Sequence, residues 1–188
     1  LHARIAKTLE SRFAERVTTE PEVLAYHYEQ AGLPSQAIEY WRRAALRDVA
    51  RSANVEALSH FDRALDVVKN LPAGPERDLV ELNLLIARGA PLLSLEGYAS
   101  DNIEHNYLRS QILAKDNSDS DQYFLSVWGL WVFHVVRGPL AKACDLAERF
   151  DPAVVVAADS SGLMLERASA RAARLGRAAQ VELCHVDL

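Results

Sequence analysis

Two carboxylates, Asp159 and Asp187, stand where a ligand site could form. Asp159 follows an unbroken apolar run over residues 153–158, whose length and β-branching are typical of a buried strand, and Asp187 follows a second predicted strand over residues 181–186. In open parallel sheets, side chains at the carboxyl ends of strands face the crevice where ligands bind. The sequence therefore offers Asp159 and Asp187 as candidate ligand-binding residues, while the simpler interpretation makes them polar residues that only end strands.

The cysteines, the histidines and the acidic segment of the chain lack the spacing of metal ligands. The two cysteines, Cys144 and Cys184, are far apart and have no second ligand close in sequence, which fits neither a zinc site nor a disulfide framework. The acidic segment 116–121 lacks the glycine and terminal glutamate of a calcium loop. Histidines occur singly on different predicted helices, at His27, His60, His105 and His134. We therefore predict no metal site and no catalytic residue.

Composition narrows the class of protein. The 188 residues are 49% hydrophobic with a net charge of −5 and scattered basic residues, which argues against nucleic acid as a partner. No apolar run approaches the roughly 20 residues that span a bilayer, and the start lacks a secretory pattern. We expect a cytoplasmic protein with no membrane segment. Because the chain starts with Leu and opens directly into a helical pattern, we also expect a piece of something longer.

Helix signals come in pairs, separated by short turns, as far as residue 150. Gly89 and Pro91 predict a kink or interruption in one helix, and Ser100 is a good N-cap for another. Phe124, Trp128, Trp131 and Val135 recur at helical spacing, which predicts one buried face rather than an aromatic ligand groove. The helices are predicted over residues 2–17, 21–30, 36–51, 52–71, 75–87, 100–115, 122–136 and 140–150.

One helix pair carries a recognisable internal pattern. Its bulky, small and aromatic positions have the spacing of a tetratricopeptide repeat, with Pro72 near the point where that repeat closes. Small residues let the helices of a hairpin approach closely, and large ones fill the groove between hairpins. The pattern predicts an antiparallel helical-hairpin solenoid over residues 1–150. The positions concerned are Trp41, Ala44, Ala45, Ala57, Phe61 and Ala64.

Residues 21–72, 92–100 and 127–148 resemble the helical-repeat region of large bacterial signalling ATPases. In that family the region follows a nucleotide-binding module and is often joined to an adenylate or guanylate cyclase. The resemblance implies a regulatory scaffold that binds a protein or peptide partner, or other domains of a longer parent chain. The family's ATPase and cyclase motifs do not occur here, and no glycine-rich phosphate loop is present in the sequence.

The tail, residues 151–188, has a different pattern. A strand over 153–158, a helix over 163–175 and a strand over 181–186 predict a βαβ unit with parallel strands. Two strands cannot bury both faces of a parallel sheet, so this unit must pack on the helices or on another chain. Exposed strand edges at 154–157 could pair between chains, which makes a homodimer one alternative.

Residues 154–176 and 181–188 resemble the second strand, following helix and third strand of class I S-adenosylmethionine-dependent methyltransferases. The resemblance implies that Asp159 hydrogen-bonds the cofactor ribose and that Asp187 lies near the adenine. The family's first strand and glycine-rich loop should lie just before residue 150, where this chain has a helical pattern over 140–150. The main hypothesis is therefore a mainly α, non-catalytic repeat scaffold. The alternative is an S-adenosylmethionine-dependent methyltransferase, or a fragment of one.

Overall fold

The computed structural model describes residues 1–115, 121–137, 140–147, 155–159 and 181–185, and these are mainly helical, as predicted. Two short strands complete the described chain, β1 (Val155–Asp159) and β2 (Val181–His185). No helix of the described part is long and apolar enough to cross a membrane. The helices are α1 (His2–Arg12), α2 (Ala14–Thr19), α3 (Pro21–Gln30), α4 (Pro34–Ala50), α5 (Asn54–Val68), α6 (Pro75–Glu96), α7 (Asp101–Ala114), α8 (Asp121–Arg137) and α9 (Leu140–Ala147).

Consecutive helices pack on one another, and the connections from α1 to α7 are short. Contacts also join α4 to α6 and α6 to α8, so alternate helices share one side of the array. The turn from α3 to α4 shows how sharp these connections are. Gly32 adopts a φ of 69° and donates to the Glu29 carbonyl, while the Leu33 amide donates to the Tyr28 carbonyl. This is the Schellman arrangement, which favours glycine and ends a helix abruptly.

The α4–α5 pair packs as its small residues predict. Ala44 and Ala45 of α4, and Ala57 and Ala64 of α5, are all fully buried. Because alanine projects so little from the helix, these positions allow close approach of helices. Phe61 is also fully buried and fills the core of this region with Trp41.

Two apolar clusters form the core, and α6 contributes to both. Leu84 lies in the first cluster, with residues of α1, α3, α4 and α5. Leu92 lies in the second, with residues of α7, α8 and α9. A single helix of 22 residues therefore connects the two halves of the core.

A kink or an interruption was predicted at Gly89 and Pro91, and the interruption is wrong, because α6 continues to Glu96. Both residues are buried in it. A Cβ atom added at Gly89 would lie 2.3 Å from the Tyr107 hydroxyl oxygen, so glycine here makes room for α7. The first helix was predicted to be continuous over residues 2–17, but it is divided at Phe13 into α1 and α2.

The predicted buried face of α8 is also wrong in part. Phe124 and Trp128 are 49% and 41% exposed, and Trp131 and Val135 are only partly buried. The core side of α8 is instead formed by Val127, Leu130 and Phe133, together with Ser126, Gly129 and His134. The helical periodicity predicted α8 correctly, but the helices packed against α8 determine which of its sides is buried.

The two strands pair in parallel, with Val155 opposite Val181 and Asp159 opposite His185. Parallel pairing agrees with the prediction for the tail. The helix predicted between the strands, over residues 163–175, lies outside the described residues, and so does Asp187.

Candidate binding groove

A groove of about 550 Å³ runs between α4 and α6, within the size range of ligand-binding clefts. The α4 wall follows one side of that helix, with lining residues that recur within each turn, and the α6 wall follows one side of its helix in the same way. Ile38 and Leu84 are buried at its base, while Leu46 is 39% exposed. The lining residues are Ser35, Ile38, Glu39, Arg42 and Leu46 on α4, and Val80, Asn83, Leu84 and Ala87 on α6.

The charge of the groove comes from α4. The Glu39 carboxylate accepts hydrogen bonds from Arg42 Nε at 3.0 Å and from Arg43 Nε at 2.7 Å. Desolvation is the largest single influence on the pKa of Glu39 and opposes ionisation, but the hydrogen bonds from both arginines together hold that pKa below its usual value. Because one carboxylate serves two guanidinium groups, these three side chains of α4 carry a net charge of +1, although of the two arginines only Arg42 lines the groove.

The orientation of α4 is fixed from its other side by three carboxylates. Glu10 of α1 accepts hydrogen bonds from the hydroxyls of Tyr28 and Tyr40, both at 2.5 Å. Glu29 of α3 accepts from Trp41 Nε1 at 2.9 Å. These bonds connect α1 and α3 to the helix that forms one groove wall.

The third carboxylate is Asp48, which is buried in α4. It accepts from Arg47 Nη2 at 2.8 Å and lies 2.9 Å from Nδ1 of His60 on α5. Arg47 also donates to the Thr19 carbonyl and to Glu22 at 2.8 Å. Asp48 therefore holds an arginine that connects α4 to α2 and α3.

The Glu10 network predicts a loss of stability in alkali. Desolvation and the hydrogen bonds to Glu10 raise the pKa of Tyr28, and the same causes raise the pKa of Tyr40 to about 12. An unfolded tyrosine ionises near pH 10, so this stabilisation is complete below pH 10 and disappears as the pH rises toward the folded pKa values.

We expect the Tyr28→Phe/Tyr40→Phe double variant to lose less stability than wild type between about pH 9 and pH 11.5. Urea unfolding across that range measures the difference. Tyr26→Phe is the control, because Tyr26 is 47% exposed and should follow wild type. Equal alkaline slopes for the double variant and wild type would contradict the assignment.

Of the two candidate residues from the sequence, Asp187 lies outside the described residues and Asp159 does not line the groove. Asp159 is the last residue of β1, and the helix α9 occupies the place where a methyltransferase would have its first strand and glycine-rich loop. The four histidines do not meet: His60 pairs with Asp48, His27 lies 2.9 Å from His2 between the Nδ1 atoms, and His134 and His105 lie on separate helices. No cluster of three or more metal-ligating side chains occurs in the described part of the chain.

Sequence reasoning missed the groove and its supporting carboxylates. The helical periodicity located α4 and α6, and the stripe from Ser35 to Leu46 could have been read from it. Glu10, Glu29 and Asp48 belong to no motif and find their partners across 12 to 30 residues of sequence. Only the packing of the helices brings them together.

No protein-family model matches the chain, and no solved structure matches it. A curated protein of Rhizobium meliloti (strain 1021), described as uncharacterized, is 26% identical to this chain over 134 residues. The aligned region is 70% of this chain and 13% of the relative. The chain thus corresponds to a small part of a much longer protein, whose name assigns no function.

Proposed function

We propose that the helical part of this chain is a non-catalytic repeat scaffold, in which the α4–α6 groove holds a segment of a protein partner or of a longer parent chain. The observation that carries this proposal is the groove itself, which has an apolar base and two aligned helical walls. The tetratricopeptide interpretation is supported by burial of all six of its marker positions in α4 and α5. Alternate helices facing one side are what a repeat scaffold needs to build a continuous binding surface.

The charge of the groove indicates the kind of segment that it binds. Arg42 lines the groove and keeps 40% of its side chain exposed although it pairs with Glu39. Arg43 shares the same carboxylate. An acidic side chain of the bound segment would pair with the exposed part of Arg42, and apolar side chains would cover Ile38, Leu46 and Leu84. The proposed ligand is therefore a peptide that combines acidic and apolar residues.

Selection from a random displayed-peptide library tests this proposal without a known partner. We expect the selected peptides to be enriched in acidic and apolar residues. We also expect Arg42→Glu to weaken their binding at least about tenfold, which corresponds to about 1.4 kcal/mol. Fluorescence anisotropy with a labelled selected peptide measures the affinity.

Arg51→Glu is the matched control, because Arg51 follows the last turn of α4, is exposed and does not line the groove. Equal weakening by both variants would indicate a general charge effect. Selected peptides without acidic residues, or binding that Arg42→Glu leaves unchanged, would refute the proposed ligand class.

Binding of S-adenosylmethionine remains the alternative hypothesis for the tail, based on Asp159 at the carboxyl end of a parallel strand. Because α9 replaces the glycine-rich loop that the cofactor's methionine end requires, we expect calorimetry to detect no binding at about 1 mM ligand. A dissociation constant of about 1 mM corresponds to a binding free energy of about −4.1 kcal/mol. A dissociation constant below that value, abolished by Asp159→Ala, would favour the methyltransferase hypothesis instead.

A further inference from the structure

His134, near the carboxyl end of α8, is a buried histidine with an unpaired ring nitrogen. Only 6% of the residue is exposed, and its Nδ1 atom is buried without a hydrogen-bond partner in the described part of the chain. A neutral imidazole has a single N–H donor, whereas an imidazolium has two and needs an acceptor for each. Protonation would therefore bury a charged N–H group at Nδ1 with nothing to accept its hydrogen bond, which is costly.

The surroundings of His134 belong to the second core cluster. Its ring packs edge-on against the Phe133 ring, with the two ring centroids 5.1 Å apart. Phe133 contributes to that cluster together with Ile103 of α7 and Leu146 of α9. The imidazole is thus held in the region where α8 packs on α7 and α9.

Charged side chains of the neighbouring helices do not compensate a proton on this ring. Lys142 of α9 opposes the proton, Glu104 of α7 favours it, and no charged group of α6 acts on the ring. Within α8, Arg137 lies three residues away and is paired with Asp101. Desolvation is the largest influence, and together with Lys142 it lowers the pKa of His134 in spite of Glu104.

We propose that His134 is an acid-sensitive latch of the second core cluster, and that a proton on its ring releases α8 from α7 and α9. The charged ring must reach water to be solvated, and separation of these helices gives it that access. The first core cluster does not share this weakness at its own histidine, because His60 lies 2.9 Å from the Asp48 carboxylate. A positive charge on His60 would have a partner of opposite charge, and one on His134 would not.

The direction of the pKa shift fixes the pH range in which the latch opens. An exposed histidine titrates near pH 6.5, and the pKa of His134 in the folded chain is lower than that. The stability that the neutral buried ring contributes is therefore complete above pH 6.5 and is lost as the pH falls toward the folded pKa. At pH 5.5 an exposed imidazole is about 90% protonated, which favours the opened helices by up to about tenfold.

Amide hydrogen exchange of the whole chain at about pH 7.5 and pH 5.5 tests the proposal, with rates expressed as protection factors so that the intrinsic effect of pH cancels. We expect the protection of α8 and α9 to fall about five- to tenfold on acidification. In His134→Leu and His134→Gln the fall should be at least about threefold smaller, because the titrating ring is gone. His105→Gln is the matched control, since His105 is exposed on α7 and its replacement should leave the fall unchanged.

Equal protection of α8 and α9 at the two pH values in the wild-type chain would overturn the proposal. So would a fall that persists undiminished in both His134 variants, once circular dichroism has shown that they are folded. Titration of the His134 ring by nuclear magnetic resonance gives a test on the wild-type chain alone. We expect a pKa below 6.5, and a value at or above 6.5 would also refute the latch.

Discussion

Replacing Phe61 with alanine is expected to lower the free energy of unfolding of the helical part by about 3–5 kcal/mol. The side chain is fully buried, and it lies in the cluster that joins α5 to α3, α4 and α6. Alanine would leave a cavity that the surrounding side chains cannot close, since their positions are set by the short turns on either side. Chemical denaturation followed by far-ultraviolet circular dichroism measures this loss.

Val55→Ala is the matched control for this prediction. It removes apolar atoms from the same helix at an exposed position and should change stability by less than about 0.5 kcal/mol. A Phe61→Ala loss as small as that of Val55→Ala would contradict the packing described for α4 and α5.

Removal of the buried carboxylate of Asp48 is the second large effect that we expect. Asp48→Ala should cost about 3 kcal/mol, because removing one member of a buried ionic network leaves its partners inadequately paired. Arg47 would lose two hydrogen bonds and His60 one. Urea unfolding at neutral pH measures the loss.

Asp66→Ala provides the comparison, since it also breaks an acid–base pair, with Lys69, but at the exposed end of α5. Surface pairs of this kind contribute about 0–1 kcal/mol. If the two aspartate variants were equally stable, Asp48 would not organise the contacts of Arg47 with α2 and α3.

Local signals in the sequence predicted the boundaries of several helices well. Pro21 and the turn at Gly32 give α3 its observed limits, and Ser100 caps α7 by accepting a hydrogen bond from the Asn102 amide at 3.1 Å. These features depend on residues within one turn of each other. They can therefore be recognised without knowledge of the rest of the fold.

Features that depend on neighbouring helices could not be predicted in the same way. Gly89 and Pro91 are helix breakers by intrinsic preference, yet the fit of Tyr107 against Gly89 is compatible with a continuous helix. The side of α8 that is buried depends on where α6, α7 and α9 lie. A hydrophobic stripe indicates a face but does not say whether this chain covers it.

The candidate groove also combines features that the sequence predicts with features that depend on the packing of neighbouring helices. The sequence placed α4 in a helical hairpin, and the burial of Trp41 and Ala44 agrees with that expectation. The groove needs α6 to lie beside α4, across the intervening α5, and Glu39 in its wall pairs with two arginines at once. Such pairings follow from three-dimensional packing and from side-chain geometry.

Site-specific photo-crosslinking tests the central claim most directly, because it reports where a bound segment lies. A photoreactive p-benzoylphenylalanine is placed at Asn83, in the groove, and in a second variant at Val55, which is exposed on α5 and does not line the groove. With a selected acidic peptide, we predict a crosslinked product at Asn83 and none at Val55. Crosslinking at Val55 without crosslinking at Asn83 would contradict a scaffold that binds its partner between α4 and α6.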